Sequence, residues 1–302
     1  MDLSIIILSF NTKDIIDECL SRVKKAKEFA EKNLKSEIEV IVVENASSDG
    51  SKEMLESRHG WVRLIISKTN TGFSGGNNIG MKASRGKFIL LLNSDCFVVD
   101  DTLVKSLEYF KNHPEVDLIG PRLNFKDGRL QPSAGYLPTP LNTILWISGL
   151  ARFPLMDQIA SPIHPKDSSF FSKERKVQWV MGAYFMFKRE VYDATNGFDE
   201  SIFMYGEEVE WCKRIKDQGF GLMYVPSIEV THIDKASSKG ELKNPLLSEI
   251  KAIVRYYRQH YKDEYPFVKL VMVISLIFRA FLFAILGKKD RKDAYLEALG
   301  VL

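Results

Sequence analysis

Apolar positions in the first 120 residues fall in short unbroken runs separated by polar loops. Residues 3–8, 40–43, 62–66 and 88–92 are such runs. Runs of this length predict strands buried on both faces of a parallel sheet. Between the first two, Ile15, Ile16, Cys19, Leu20, Val23 and Ala26 recur at helical spacing and predict an amphipathic helix. Strand, helix and strand with short links predict an α/β fold: a mostly parallel sheet with right-handed crossovers, flanked by helices. Residues 121–176 break this rhythm. Prolines at 138, 140, 162 and 165 predict long connections and a closing loop. Regularity returns at 177–187, followed by a predicted helix over 207–218 and a strand over 222–225. The most apolar run, 267–286, predicts a helical tail.

In open parallel sheets ligands bind beyond the carboxyl ends of the strands. Four successive strand ends here carry small polar groups: Ser9-Phe10-Asn11-Thr12, then Glu44-Asn45 through Ser48-Asp49-Gly50, then the glycine-rich 70–78, then Asn93-Ser94-Asp95. Asp95 either closes a turn or holds a divalent cation, which is typically bound by one or two carboxylates, substrate phosphates and water. Glu44 can accept the N–H of a pyrimidine base, and Asp49 reads as the cap of a helix starting near Ser51. The glycines at 72, 75 and 76 allow a backbone to approach a ligand closely, or make a turn. The stretch lacks the lysine of GxxxxGK[ST], which disfavours a P-loop NTPase. Further on, Glu207 and Glu208 are adjacent, about 100° apart on a helix. Neighbouring acids raise each other's pKa, which suits a general base; an acidic helix start stabilised by the dipole is the other reading. His232 follows a strand-like segment and precedes Ser237, Ser238 and Lys239; it fits a metal or phosphate contact, or a structural role.

Composition changes little. The chain has 302 residues, 45% hydrophobic and 27% charged, with a net charge of +3. That charge is too small to argue for nucleic acid. Three widely spaced cysteines fit a reducing compartment rather than a disulfide scaffold. The start carries no signal-peptide pattern, because its apolar stretch is short and has no basic flank.

Taken together and in order, SIIILSFNT, VIVVENASSDGS, NTGFSGGNNIG, ILLLNSD, VMGAYFMFKREVY, GFDESIFMYGEEVEWCKR and a later His resemble family 2 glycosyltransferases, and most closely their rhamnosyltransferase-like branch. The resemblance runs from about residue 3 to 240. It implies a GT-A fold over 1–240, with a nucleotide-sugar half over 1–120 and an acceptor half over 121–240. It implies an inverting, metal-dependent transferase using a nucleotide-diphosphate sugar, Mg²⁺ or Mn²⁺, and a lipid-linked or polysaccharide acceptor. By the same resemblance Asp95 and His232 hold the metal, and Glu208, with Glu207 before it, supplies the base. Phe10, Asn11, Glu44, Asn45, Asn70, Asn78 and Asn93 are implied to line the nucleotide sugar. Glu replaces the family's usual Asp at both 44 and 208, one methylene longer. Two other classes compete. A sugar nucleotidyltransferase wants a glycine-rich loop after the first strand, and 9–12 has no Gly. A non-catalytic sugar-binding module needs only the pocket.

The tail over 241–302 is expected to be helical and membrane-associating. Residues 251–302 carry ten basic and five acidic side chains, whereas 1–250 carry 32 and 34. The run 267–286 matches a span of about 20 residues in length. Lys269, Ser275 and Arg279 fall in one arc of a helical wheel, and Lys288, Lys289, Arg291 and Lys292 follow. A helix lying in an anionic interface accounts for both features; core packing and a true span are the alternatives. The expected location is the cytoplasm, peripheral on the inner face of the cell membrane.

Overall fold

The first, second and fourth apolar runs form strands whose side chains are mostly buried on both faces, whereas the third, expected to be buried in the same way, is an edge strand with Arg63 and Ile66 exposed. In β1 (Leu3–Ser9), Leu3, Ile5, Ile6 and Ile7 have no exposed surface. Each such side chain contributes about 1.5–3 kcal/mol by leaving water. β1 pairs in parallel with β2 (Ile38–Glu44) and β4 (Phe88–Asn93), and β2 pairs in parallel with β3 (Arg63–Ile66). The computed structural model describes residues 1–150, 160–165, 167–233 and 245–302.

The sheet continues through β5 (Cys96–Phe97), β6 (Leu118–Asn124), β7 (Leu130–Gln131), β9 (Arg175–Lys176), β11 (Tyr184–Lys188) and β12 (Leu222–His232). Its order is β3-β2-β1-β4-β11-β6-β12-β5, with β7 on β6 and β9 on β12. Two short strands, β8 (Ala134–Gly135) and β10 (Trp179–Val180), lie outside it. β11 runs antiparallel to β4, so Ala183, just before it, meets the carboxyl end of β4, where the Asn93 N–H donates to its carbonyl. β12 is longer than the strand predicted over 222–225. It shifts register between Val225 and Glu229 and continues to pair with β5.

Helices α1 (Lys13–Leu34), α2 (Ser51–Arg58), α3 (Gly72–Ala83), α4 (Thr102–Asn112), α6 (Arg189–Thr195) and α7 (Glu207–Asp217) accompany this sheet. The glycine-rich stretch is a correction to the sequence reading. Residues from Gly72 onward are helical rather than a turn, and the glycines at 76 and 80 admit side chains of β1. A Cβ on Gly80 would lie 2.3 Å from Ile6 Cγ2, so α3 rests on β1 only because that side chain is absent. The prolines are a second correction. Pro140 opens α5 (Pro140–Ser148) at its first turn, where its missing N–H costs nothing, and Thr139 and Asn142 form a capping box. The closing loop expected within 121–176 falls partly on 151–159 and 166, outside the described residues.

By contacts the chain divides into Met1–Ala134 with Lys166–Lys239, and Gly135–Pro165 with Gly240–Leu302. Residues 135–165, expected within the acceptor half, thus group with the tail. That second unit holds α5, α8 (Pro245–His260), α9 (Tyr265–Ile285) and α10 (Lys289–Leu299). Within it, the Tyr257 hydroxyl donates to Thr143 Oγ1 at 2.9 Å. On α9, Val268, Met272, Leu276 and Ala280 are buried, spaced four apart.

Candidate active site

The loops after β1, β2 and β3 are tied together by side-chain amides. Asn11 adopts a left-handed φ of 52°, and its Oδ1 accepts from the Ser48 N–H at 2.8 Å. Glu44 is 1% exposed. Its carboxylate accepts from the N–H groups of Ala46 and Ser47 at 3.2 and 2.7 Å. Asn45, also buried, accepts from the Thr71 N–H and hydroxyl and donates to Asn70 Oδ1 and the Gly72 carbonyl. Asp49 accepts from the Ser51 N–H and from the Lys13 N–H, fastening the starts of α2 and α1, while the cap position of α2 itself is Gly50, with a φ of 84°. Phe10 is half-buried beside them.

Asn78 lies elsewhere. It donates to the Phe198 carbonyl and to Glu200, and accepts from the Phe198 N–H at 3.0 Å. Both ends of its amide are used to pin the turn before the acidic pair onto α3. Asn45 and Asn78 therefore build the walls of this edge rather than offering free donors to a ligand. A polar residue at a strand end signals the edge, but not whether its amide points outward.

At the end of β4, Asp95 is 6% exposed and His232 is 5% exposed. Pairing of β12 with β5 sets His232 opposite Cys96, and brings His232 Nε2 to 3.3 Å from Asp95 Oδ1. The other ring nitrogen, Nδ1, donates to Gln131 Oε1 at 3.0 Å, which holds the ring with Nε2 turned toward Asp95. Ligand atoms of Asp95, Cys96 and His232 lie within 4.8 Å of one another. Cys96 is nonetheless committed elsewhere: its thiol donates to the Ala183 carbonyl, and burial, with the Asp95 charge adding, pushes it well above the usual thiol range. What remains is a carboxylate oxygen and an imidazole nitrogen. Asn93 is half-buried at the same strand end. Gln131 sits on a two-residue strand 101 positions from His232, and no sequence spacing points to it. Ser237, Ser238 and Lys239 lie outside the described residues.

The acidic pair opens α7. Trp211, one turn on, is fully buried, stacked on Phe185 at 5.3 Å and edge-on to Phe198 at 4.6 Å. Its Nε1 donates to Thr195 Oγ1 at 2.7 Å. Arg214 pairs with Glu210 and donates to the Thr195 and Gly197 carbonyls. These contacts fix the first turn of α7. Before it, Tyr205 and Gly206 both hold positive φ, 72° and 86°, turning the chain sharply into the helix. The Phe203 carbonyl accepts from the Phe73 N–H at 2.8 Å and lies so close that a Cβ on Gly72 would sit 2.4 Å away. Glu207 is 5% exposed, and its Oε2 has no hydrogen-bond partner among the described residues. Burial, reinforced by the Glu208 charge, holds its carboxyl well above the usual range. Glu208 is half-buried.

The Glycosyl transferase family 2 profile matches residues 4–195. The chain belongs to that family. Over 222 residues this glycosyltransferase is 27% identical to the N-acetylglucosaminyl-diphospho-decaprenol L-rhamnosyltransferase of Mycobacterium tuberculosis, covering 67% of this chain and 68% of that one. Its fold is similar to that of S. aureus TarS 1–349 in complex with UDP-GlcNAc, with a TM-score of 0.58 and 18% identity over 99% of this chain and 80% of that one. Against the longer S. aureus TarS chain it spans 43% of that protein. It is also similar to the mannosyltransferase PcManGT of Pyrobaculum calidifontis in complex with GDP-Man and Mn²⁺, with a TM-score of 0.57 and 14% identity over 99% of this chain and 86% of that one. The glycosyltransferase thus has the GT-A fold that its motifs led us to expect.

Proposed function

We propose that this glycosyltransferase moves rhamnose from a nucleoside-diphosphate donor to a lipid-linked or polysaccharide acceptor, with inversion at the anomeric carbon. Asp95 and His232 hold Mg²⁺ or Mn²⁺ in this reading. The observation that carries it is the buried Asp95–His232 pair, its imidazole oriented by Gln131, at the end of β4. A carboxylate oxygen and an imidazole nitrogen fit such a cation, which takes its remaining ligands from phosphate and water. When bound, the cation neutralises charge on the departing diphosphate.

The chain's own groups do the rest. Glu208 takes the proton from the acceptor hydroxyl while that oxygen bonds to the anomeric carbon. The bond to the diphosphate oxygen breaks on the opposite face. Burial, with the Glu208 charge adding, holds the Glu207 carboxyl above its usual range, and the half-buried Glu208 is the member read as the base. Glu44, Asn45 and Asn70 hold the loops that flank the nucleotide, with Phe10, Asn11 and Asn93 at their rim and Asn78 bracing the turn behind the acids. Support for rhamnose and for a lipid-linked acceptor comes from the name of the mycobacterial relative. Support for a polymer acceptor comes from a second relative, the poly(ribitol-phosphate) β-N-acetylglucosaminyltransferase TarS of Staphylococcus aureus, 29% identical over 143 residues but aligned over only 24% of that protein.

A donor panel tests this. With Mn²⁺ present, nucleoside-diphosphate rhamnose should raise the melting temperature more than UDP-GlcNAc or GDP-mannose; a ligand at a hundred times its Kd stabilises by about 2.7 kcal/mol. Turnover should release nucleoside diphosphate, stop with chelator and be lost in Asp95→Ala. Release of pyrophosphate, or turnover indifferent to chelator, would overturn it.

A further inference from the structure

We infer that α9 and the start of α10 form a membrane-docking surface whose partner is an anionic bilayer, a property separate from the transfer chemistry. The wheel alone does not reveal the decisive feature. Two members of the polar arc of α9, Ser275 and Arg279, are turned into their own unit. Ser275 is 8% exposed, and Arg279 donates to the Tyr295 hydroxyl at 2.9 Å and lies over that ring. Its guanidinium also abuts Gly149, where a Cβ would lie 2.8 Å away.

The face left outward is apolar. Phe267, Leu270, Ile274, Ile277, Phe278, Phe281 and Ile285 are 52–66% exposed. A soluble helix presents the reverse arrangement, and an exposed apolar stripe of this length marks an interaction site. Lys288, Lys289 and Arg291 follow directly and are exposed. Residues 288–293 carry four basic and two acidic side chains, one pair of which, Lys292 and Asp293, is already joined at 3.1 Å. An apolar stripe ending in exposed cations matches the acyl boundary and the headgroup phosphates of one leaflet.

The helix is long and apolar enough to cross a bilayer, with a mean hydropathy of 2.3 over its best window. Crossing would strip Arg279 from Tyr295 and expose the row Val268, Met272, Leu276 and Ala280. Lying in the plane of the interface keeps both, so the surface docks on an anionic bilayer without spanning it.

The test uses the full chain and sedimentation with phosphatidylcholine vesicles, with or without phosphatidylglycerol. Wild type should pellet with the anionic vesicles and much less with the neutral ones. The triple variant K288Q/K289Q/R291Q should lose about a hundredfold in affinity for anionic vesicles, at the usual contribution per cation near such a surface. F278S/F281S, changed only at exposed positions, should fold with an unchanged melting temperature and release in moderate salt. Equal pelleting with both vesicle types would overturn the electrostatic assignment. No pelleting, together with a dimer that F278S/F281S makes monomeric, would assign the stripe to a second copy of the chain.

Discussion

Replacing Gln131 with Met isolates the orientation of His232 from the ligand itself. The two side chains have similar length, so the packing around this buried position is kept while the acceptor at 3.0 Å from Nδ1 is removed. Two responses are open to the imidazole. It can keep its N–H buried without a partner, at about 1–3 kcal/mol. Or it can move the proton to Nε2, the nitrogen 3.3 Å from Asp95, and lose the lone pair that a cation needs. Loss of an outer partner of a metal-ligating histidine typically costs about 10–100-fold in metal affinity. At about 1.4 kcal/mol per tenfold, that matches the cost of the orphaned N–H. Titrating Mn²⁺ in the presence of UDP, with free Mn²⁺ read by electron paramagnetic resonance, should show this weakening. Gln131→Glu, which keeps an acceptor oxygen, should stay nearer wild type, and Asp95→Ala should abolish the site. If Gln131→Met binds Mn²⁺ within twofold of wild type while Asp95→Ala does not, the orientation argument fails.

Glu208→Gln should lower kcat by about 10²–10⁴ with little change in donor KM, and Glu207→Gln should do less; a reversed ranking in steady-state kinetics would move the base to Glu207. Because burial raises the Glu207 carboxyl, the folded chain holds that proton more tightly than the unfolded one. Stability from this group is therefore full below the ordinary carboxyl pKa and lost as pH rises through the folded value. Melting curves of Glu207→Gln should fall less steeply than wild type from about pH 5 upward; parallel curves would contradict the burial argument. Gly80→Ala should destabilise by about 1–3 kcal/mol through overpacking against Ile6, offset by about 1 kcal/mol of helix propensity; a raised melting temperature would show that α3 can shift away from β1.

The sheet was legible because β1, β2 and β4 are apolar on both faces, a pattern that no surface helix carries. The strand-end rule then located the edge where Asp95 and the Asn residues gather. The glycine-rich helix was not legible, since its glycines are there to admit Ile6 and Leu8, a tertiary need that local propensity opposes. The use of Asn78 was hidden for a related reason: its partner Phe198 lies 120 residues away. His232 could be picked out as a candidate, but its orientation depends on Gln131, placed by a two-residue strand that carries no periodicity. On α9 the apolar run was plain, while the inward turn of Arg279 followed only from the packing of Tyr295 and Gly149.

The amide bonds that stitch the strand-end loops bear on time as much as on energy. The N–H groups of Ser48, Thr71 and Phe198 are held by Asn side chains, two of them on loops and one on a helix that is itself keyed into β1. The bonds at Thr71 and Phe198 are partly buried, so these two protons should exchange more slowly than those of an open turn, while the exposed Ser48 N–H exchanges by local opening. A ligand arriving at this wall finds these strand-end loops already set, so its capture does not have to order them. Shifts in sugar preference among such chains would then proceed by exchanging individual side chains on a fixed wall, while the path of the backbone stays unaltered.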